Sequence, residues 1–434
     1  MARWWPPAAG IPAAFAILLA MASGASAQFS ISDESWPTGP GYVAATCPPA
    51  LVPAAAEMSA LGPALASPPS PLPAFGFDTY YVAGGDVASG PSVVGVDDTG
   101  ATTWRLPLGA GVTVASLTVF GPNWNALAIL TRRADGTAQV DLVNLTTMAV
   151  TTWKPPAADA AAVVAMPAGS AASAPLVVAW QGGGTAGAAR LTAAGEVAAR
   201  VTVADPGGVD TGLTLTRLGA AAVATWVDGR VATTYMVPGS GSPAGPRRLT
   251  LPTADPTTVS ALPGPRLYVS RAGSGGRVTW AAMYSLGDPA RLLWRRSRGS
   301  LPADGAVWSG RDLILGGPYL ARVNPTSGAV VARWRPPDGP AWPVAAGPFG
   351  TAAIAWPTPA TAPDHAPTAP EAMVFGPTDN LLFTDALAPA PLGAPVAPDA
   401  SAVIGQFQTA VLGPALYPSM LYWLSPNCSG APKQ

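Results

Sequence analysis

From about residue 90 onward one short pattern returns down the chain: an apolar strand, a turn containing Gly, Asp, Asn or Pro, and a second strand ending in Trp or Arg. The clearest copy is residues 91–104, and 319–334 is its partner. A third, 140–153, keeps the apolar alternation and the terminal Trp, and weaker copies lie at 189–201, 232–249, 282–294 and 372–383. The units end at 104, 153, 201, 249, 294, 334 and 383, so the spacings are 49, 48, 48, 45, 40 and 49 residues. Two further strand-like runs separate successive units, such as 112–120 and 126–131, then 161–166 and 176–179. Four short strands in some forty-odd residues make one sheet too small to stand alone, and the spacing is that of a propeller blade. Helical periodicity is hard to find after the first residues, because Pro (51) and Gly (48) interrupt almost every window. The same density accompanies disorder in other chains, but 49% hydrophobic residues and 15 Trp supply the apolar surface of a folded one.

The expected fold is therefore all-β, a β-propeller of seven or eight four-stranded blades. Residues 402–406, 409–412 and 419–423 read as three strands of a last blade that lacks its fourth, and 41–46 is the candidate to supply it. Counting that composite gives eight blades, closed by pairing of the two termini; seven remain if 41–46 is a tail. Segments 64–73, 238–246, 357–370 and 388–398 break the pattern and read as surface loops.

At the N-terminus, Arg3 precedes an apolar stretch over 11–21 and then small residues ending Ala25-Ser26-Ala27. These are the parts of a secretory signal peptide, and the stretch is shorter than the roughly 20 residues a membrane span needs. The domain plan is a signal peptide at 1–27, a tail at 28–40, one propeller over 41–428 and a tail at 429–434. Export makes the mature protein extracellular, without a membrane span. It also makes the only two cysteines, Cys47 and Cys428, a candidate disulfide that latches first blade to last. Asn144-Leu145-Thr146 and Asn427-Cys428-Ser429 have the glycosylation pattern. A formal net charge of −1 gives no global field for nucleic acid or an anionic membrane.

Asp98-Thr99-Gly100-Ala101-Thr102-Thr103-Trp104 resembles the quinoprotein-type (PQQ-like) propeller repeat, in which a Thr-Gly turn precedes a strand ending in Trp. Ser327-Gly328 to Trp334 is similar, with two more residues before the Trp. The resemblance implies that Trp104, Trp153, Trp294 and Trp334 pack between adjacent blades, where a flat apolar ring is suited. Quinone-dependent members resemble one another in vicinal cysteines and a calcium held by carboxylates. Neither feature can be matched here, so no functional residue carries over.

Candidate chemistry is sparse. The single histidine, His365, lies between Pro363 and Pro367, an irregular setting for a general base, and one histidine cannot build a multi-histidine metal site. Of 24 carboxylates only Glu34, Glu57, Glu196 and Glu371 are glutamates, and Asp97, Asp135, Asp228, Asp304 and Asp338 sit in evident turns. The Gly-rich stretches 181–184 and 273–276 lack the Lys-Ser/Thr ending of a phosphate loop and read as hairpin turns. Arg291, Arg295, Arg296 and Arg298, with Arg311, form the one concentration of like charge, either an anion-binding patch or a blade edge kept soluble. No catalytic residue, metal or cofactor is assigned. The functional expectation is a secreted binding or scaffold module for a protein or a glycan. The alternative is a diverged extracellular quinone-dependent dehydrogenase or carbohydrate-active enzyme.

Overall fold

The second strands carry the most continuous apolar runs, and the reason is position. Leu176–Gly182, Ala221–Asp228 and Ala126–Arg133 are buried along nearly their whole length, because each is an interior strand of a sheet covered on both faces. The fourth strands are the opposite: Ala244–Thr250 and Arg291–Ser297 are exposed except for one buried residue each, Leu249 and Trp294. Burial thus falls from the middle of these sheets to the last strand.

The computed structural model describes most residues from 79 to 355, together with strands at 50–51, 64–66, 371–375, 381–386, 401–404, 409–412 and 421–424. The described residues form eight four-stranded antiparallel sheets. The first contains Ala64–Ala66, Thr79–Asp86, Gly90–Asp97 and Thr102–Pro107; the second, Val112–Phe120, Ala126–Arg133, Ala138–Asn144 and Val150–Trp153. The third contains Ala162–Pro167, Leu176–Gly182, Thr185–Leu191 and Val197–Ala204; the fourth, Thr214–Leu218, Ala221–Asp228, Val231–Pro238 and Ala244–Thr250. The fifth contains Thr258–Leu262, Arg266–Ala272, Val278–Ser285 and Arg291–Ser297; the sixth, Gly305–Trp308, Leu313–Gly316, Leu320–Val323 and Val330–Trp334. The seventh contains Ala341–Gly347, Gly350–Ala355, Glu371–Phe375 and Leu381–Ala386. In the eighth, Ser401–Ile404, Thr409–Leu412 and Leu421–Leu424 are joined at the edge by Ala50–Leu51.

Within sheets one to seven the strands follow chain order, and adjacent sheets meet through Ala64–Ala66, Val112–Phe120, Ala162–Pro167, Thr214–Leu218, Thr258–Leu262, Gly305–Trp308, Ala341–Gly347 and Ser401–Ile404. This radial plan is propeller architecture. Small residues let the sheets approach: Ala179, Ala186 and Ala188 of the third sheet pack against Ala222, Ala224 and Trp226 of the fourth. The only described helical segment is one 3₁₀ turn, Pro122–Trp124.

Three expectations are corrected: within 238–246, read as a loop, Pro238 ends the third strand of the fourth sheet and 244–246 open its fourth. Residues 64–66, read as part of a loop because of the prolines that follow, form the first strand of the first sheet. The strand added to the last sheet is Ala50–Leu51, paired Ala50 to Trp423 and Leu51 to Tyr422, whereas 41–46 lies outside the described residues. A two-residue strand bounded by Pro48, Pro49 and Pro53 leaves no periodicity to read. A further feature has no sequence signature: third and fourth strands slip register at a bulge in sheets one, three, four, five, six and seven. A bulge sharpens the twist of the outer strand and blunts it as a template for edge pairing.

Candidate functional site

Two connections after third strands, those of the second and sixth sheets, are built from one local device. Asn144 Oδ1 accepts the backbone N–H groups of Thr146 and Thr147 at 2.9 and 3.0 Å, and Asn324 Oδ1 accepts those of Thr326 and Ser327 at the same distances. Each asparagine satisfies the turn that a short polar side chain can close on its own backbone. Asn144, a candidate glycosylation acceptor, therefore ends a strand with its carbonyl oxygen engaged in this turn.

In sheets four, five and six the connections after third strands receive donors from the preceding sheet. Arg190 of the third sheet gives its Nη1 protons to the carbonyls of Pro238 and Gly241 in the fourth, at 2.7 and 2.8 Å. Arg247 of the fourth sheet donates to the Leu286 carbonyl of the fifth. From the fifth, Trp294 Nε1 and Arg296 Nε donate to Pro325 and Gly328 of the sixth, at 3.0 and 3.2 Å. Trp226 Nε1 reaches back to the carbonyl of Trp180, 3.2 Å away in the sheet before. Donors with backbone partners across a seam satisfy both groups and fix one sheet against the next.

The four tryptophans lie at the ends or middles of fourth strands. Trp153 packs with the second-to-third cluster and stands 5.9 Å, ring to ring, from Trp180. Trp294 belongs to the cluster of sheets five and six, Trp334 to that of six and seven, and Trp104 packs against the cluster of one and two.

The arginine concentration divides. Arg291, Arg295 and Arg296 are all exposed, and Arg296, on the side of its strand that carries Trp294, donates to the sixth sheet. Burial pushes the Tyr284 hydroxyl above its usual range, and the Arg295 guanidinium nearby partly offsets that. Arg311 stands on a turn of the sixth sheet, 3.8 Å from Asp312, and Arg298 lies outside the described residues. Asp312 makes a buried ion pair with Arg322 at 2.6 Å, which ties the second strand to the third. Sequence reading missed Arg190, Arg247 and this pair, because a backbone carbonyl as acceptor leaves no motif.

Among the described residues no group of three or more His, Cys, Asp or Glu could hold a metal ion. Asp135 closes a hairpin turn on Thr137, whose hydroxyl and N–H bonds hold its carboxyl below the usual carboxylate range. Asp141, buried, accepts Gln139 and Thr152 within its own sheet. Tyr268, fully buried, has its hydroxyl pushed well above the usual range by desolvation. His365, Asn427, Cys47 and Cys428 lie outside the described residues.

No family model matches the sequence, and no curated protein matches it. Among solved structures the chain is similar to Saccharomyces cerevisiae Sqt1, with a TM-score of 0.52 at 11% identity, over 88% of this chain and 98% of that one. It is similar also to dihydro-heme d1 dehydrogenase NirN in complex with DHE, with a TM-score of 0.51 at 15% identity, over 83% of this chain and 78% of that one. At these identities the likeness is one of fold alone.

Proposed function

We propose that the chain is an exported binding or scaffold module, an eight-bladed ring whose last blade is completed by the N-terminal strand and whose surface holds a partner. The observation that carries this reading is the use of the donors at the seams between sheets, two of them buried (Arg190 and Trp294) and two on exposed residues (Arg247 and Arg296). Arg190, Arg247, Trp294 and Arg296 are all engaged with backbone carbonyls of the neighbouring sheet, which stiffens a frame rather than preparing a reacting group. Closure is supported by two contacts: Ala50–Leu51 pairs with the last sheet, and Ser401–Ile404 lies beside the first strand of the first sheet. In an antiparallel pair the residue before one strand and the residue after the other emerge at the same end. Cys47 stands three residues before Ala50 and Cys428 four after Leu424, which supports a latching disulfide.

The enzymatic alternative is separated from this reading by titrating the purified protein with pyrroloquinoline quinone and calcium. Binding-module behaviour is an absorbance and tryptophan-fluorescence response that does not saturate. Saturable uptake with turnover of an alcohol substrate would overturn it.

A further inference from the structure

The outer edge carries a charge distribution that holding blades together does not require. Each of sheets one to six presents an exposed cation on its fourth strand or directly after it: Arg105, Lys154, Arg200, Arg248, Arg295 and Arg333. With Arg291 and Arg335 the tally is eight, Arg247 and Arg296 being set apart because they donate to the next sheet, and none of the six strands contains Asp or Glu. Setting those eight aside from the 23 basic residues of the chain leaves 15 against 24 acidic ones, so a molecule of net charge −1 carries a basic edge against an acidic remainder. Charged side chains, lysine above all, protect an edge strand, whereas seven of these eight cations are arginine. A single sign, against an acidic remainder, needs another explanation.

The placement is regular. In four sheets the cation directly follows the fourth-strand tryptophan, as Trp104-Arg105, Trp153-Lys154, Trp294-Arg295 and Trp334-Arg335. Strand alternation turns each of these side chains to the face opposite its tryptophan. Trp153 pairs with Val140 and Trp334 with Leu320, each four residues before its turn asparagine, so Lys154 and Arg335 emerge at the same level on different blades. Beside the cations, near the start of the same strands, Val150, Val197, Leu292 and Val331 are exposed. Across sheets one to six the edge thus carries at least one exposed cation per blade, with an exposed aliphatic side chain beside it in four of them.

We infer that this edge binds a linear acidic polysaccharide, one bearing carboxylate or sulfate groups along a sugar chain. Guanidinium groups match such anions in bidentate fashion, and the C–H faces of sugar rings lie against aliphatic side chains. A flat anionic membrane would meet only the one or two blades tangent to it. Single-stranded nucleic acid calls for exposed aromatic platforms, and the exposed large apolar side chains described here are Met, Val and Leu. The inference uses only the outer strands, so it stands or falls separately from ring closure and from the proposed absence of catalysis.

The test is binding of the mature full chain to immobilised heparin and polygalacturonate, beside oligothymidylate and phosphatidylserine vesicles. Expected is saturable binding to at least one polysaccharide, weakening about tenfold or more between roughly 50 and 200 mM salt. The combined variant Lys154→Glu, Arg200→Glu, Arg248→Glu, Arg295→Glu keeps the edge charged and soluble, and is expected to lose binding about tenfold or more with its melting temperature retained. Arg311→Glu, off the edge, is expected to bind as the parent does. The inference is overturned by no binding to either polysaccharide, by unchanged binding of the combined variant, or by tighter binding to vesicles or oligothymidylate.

Discussion

The turns at Asn144 and Asn324 make the same hydrogen bonds, yet their fifth residues differ, Met148 in one and Gly328 in the other, both with positive φ (59° and 68°). What lies above them explains the difference. A Cβ on Gly328 would come within 2.6 Å of Trp294 Cδ2, since the ring of the preceding sheet is seated on that turn. Met148 is 38% exposed, so a side chain fits there at the expense of backbone strain. Glycine at this place is required by the packing of one blade on the next more than by the turn itself.

That contrast can be broken in order of effect. Trp294→Ala removes a ring that is 7% exposed and whose Nε1 binds Pro325, and should cost about 3–5 kcal/mol in chemical denaturation. A loss under 1 kcal/mol would mean that the ring does not hold the fifth sheet to the sixth. Gly328→Ala meets both positive φ and the ring, for about 2–4 kcal/mol, against a smaller penalty for Trp294→Ala combined with Gly328→Ala than the two separate losses imply. Asn144→Ala and Asn324→Ala should each cost about 1 kcal/mol, and equally, because their bonds have equal lengths. Unequal losses would show that the turns differ in more than their fifth residue. Met148→Gly should be the mildest change, a gain of about 0.5–1 kcal/mol from relief of positive φ, reduced by the greater freedom of the unfolded chain.

Much of this plan is legible in the residues themselves. The Thr-Gly or Ser-Gly turn, the Trp that follows and the spacing in the forties mark the third and fourth strands, because turn chemistry and apolar alternation are local. First strands are harder: Ala64–Ala66 is short and followed by Pro68 and Pro69, and its stability comes from pairing with Thr79–Asp86. The staples Arg190 to Gly241 and Trp294 to Pro325 span 51 and 31 residues and end on backbone carbonyls, which any residue supplies. The basic edge was visible only as the cluster near Trp294. Its full extent depends on knowing which strand of each sheet faces outward.

The central claim is that the N-terminal strand completes the last sheet. The measurement that tests it most directly joins Ala50 to Trp423, which face each other as antiparallel partners. Cross-strand Cα atoms lie within the separation a disulfide spans. With Cys47 and Cys428 changed to Ser, the pair Ala50→Cys, Trp423→Cys should oxidise quantitatively in the folded protein, leaving no titratable thiol and a linked peptide on digestion. Two thiols that remain reactive in the native, oxidised sample would contradict the account.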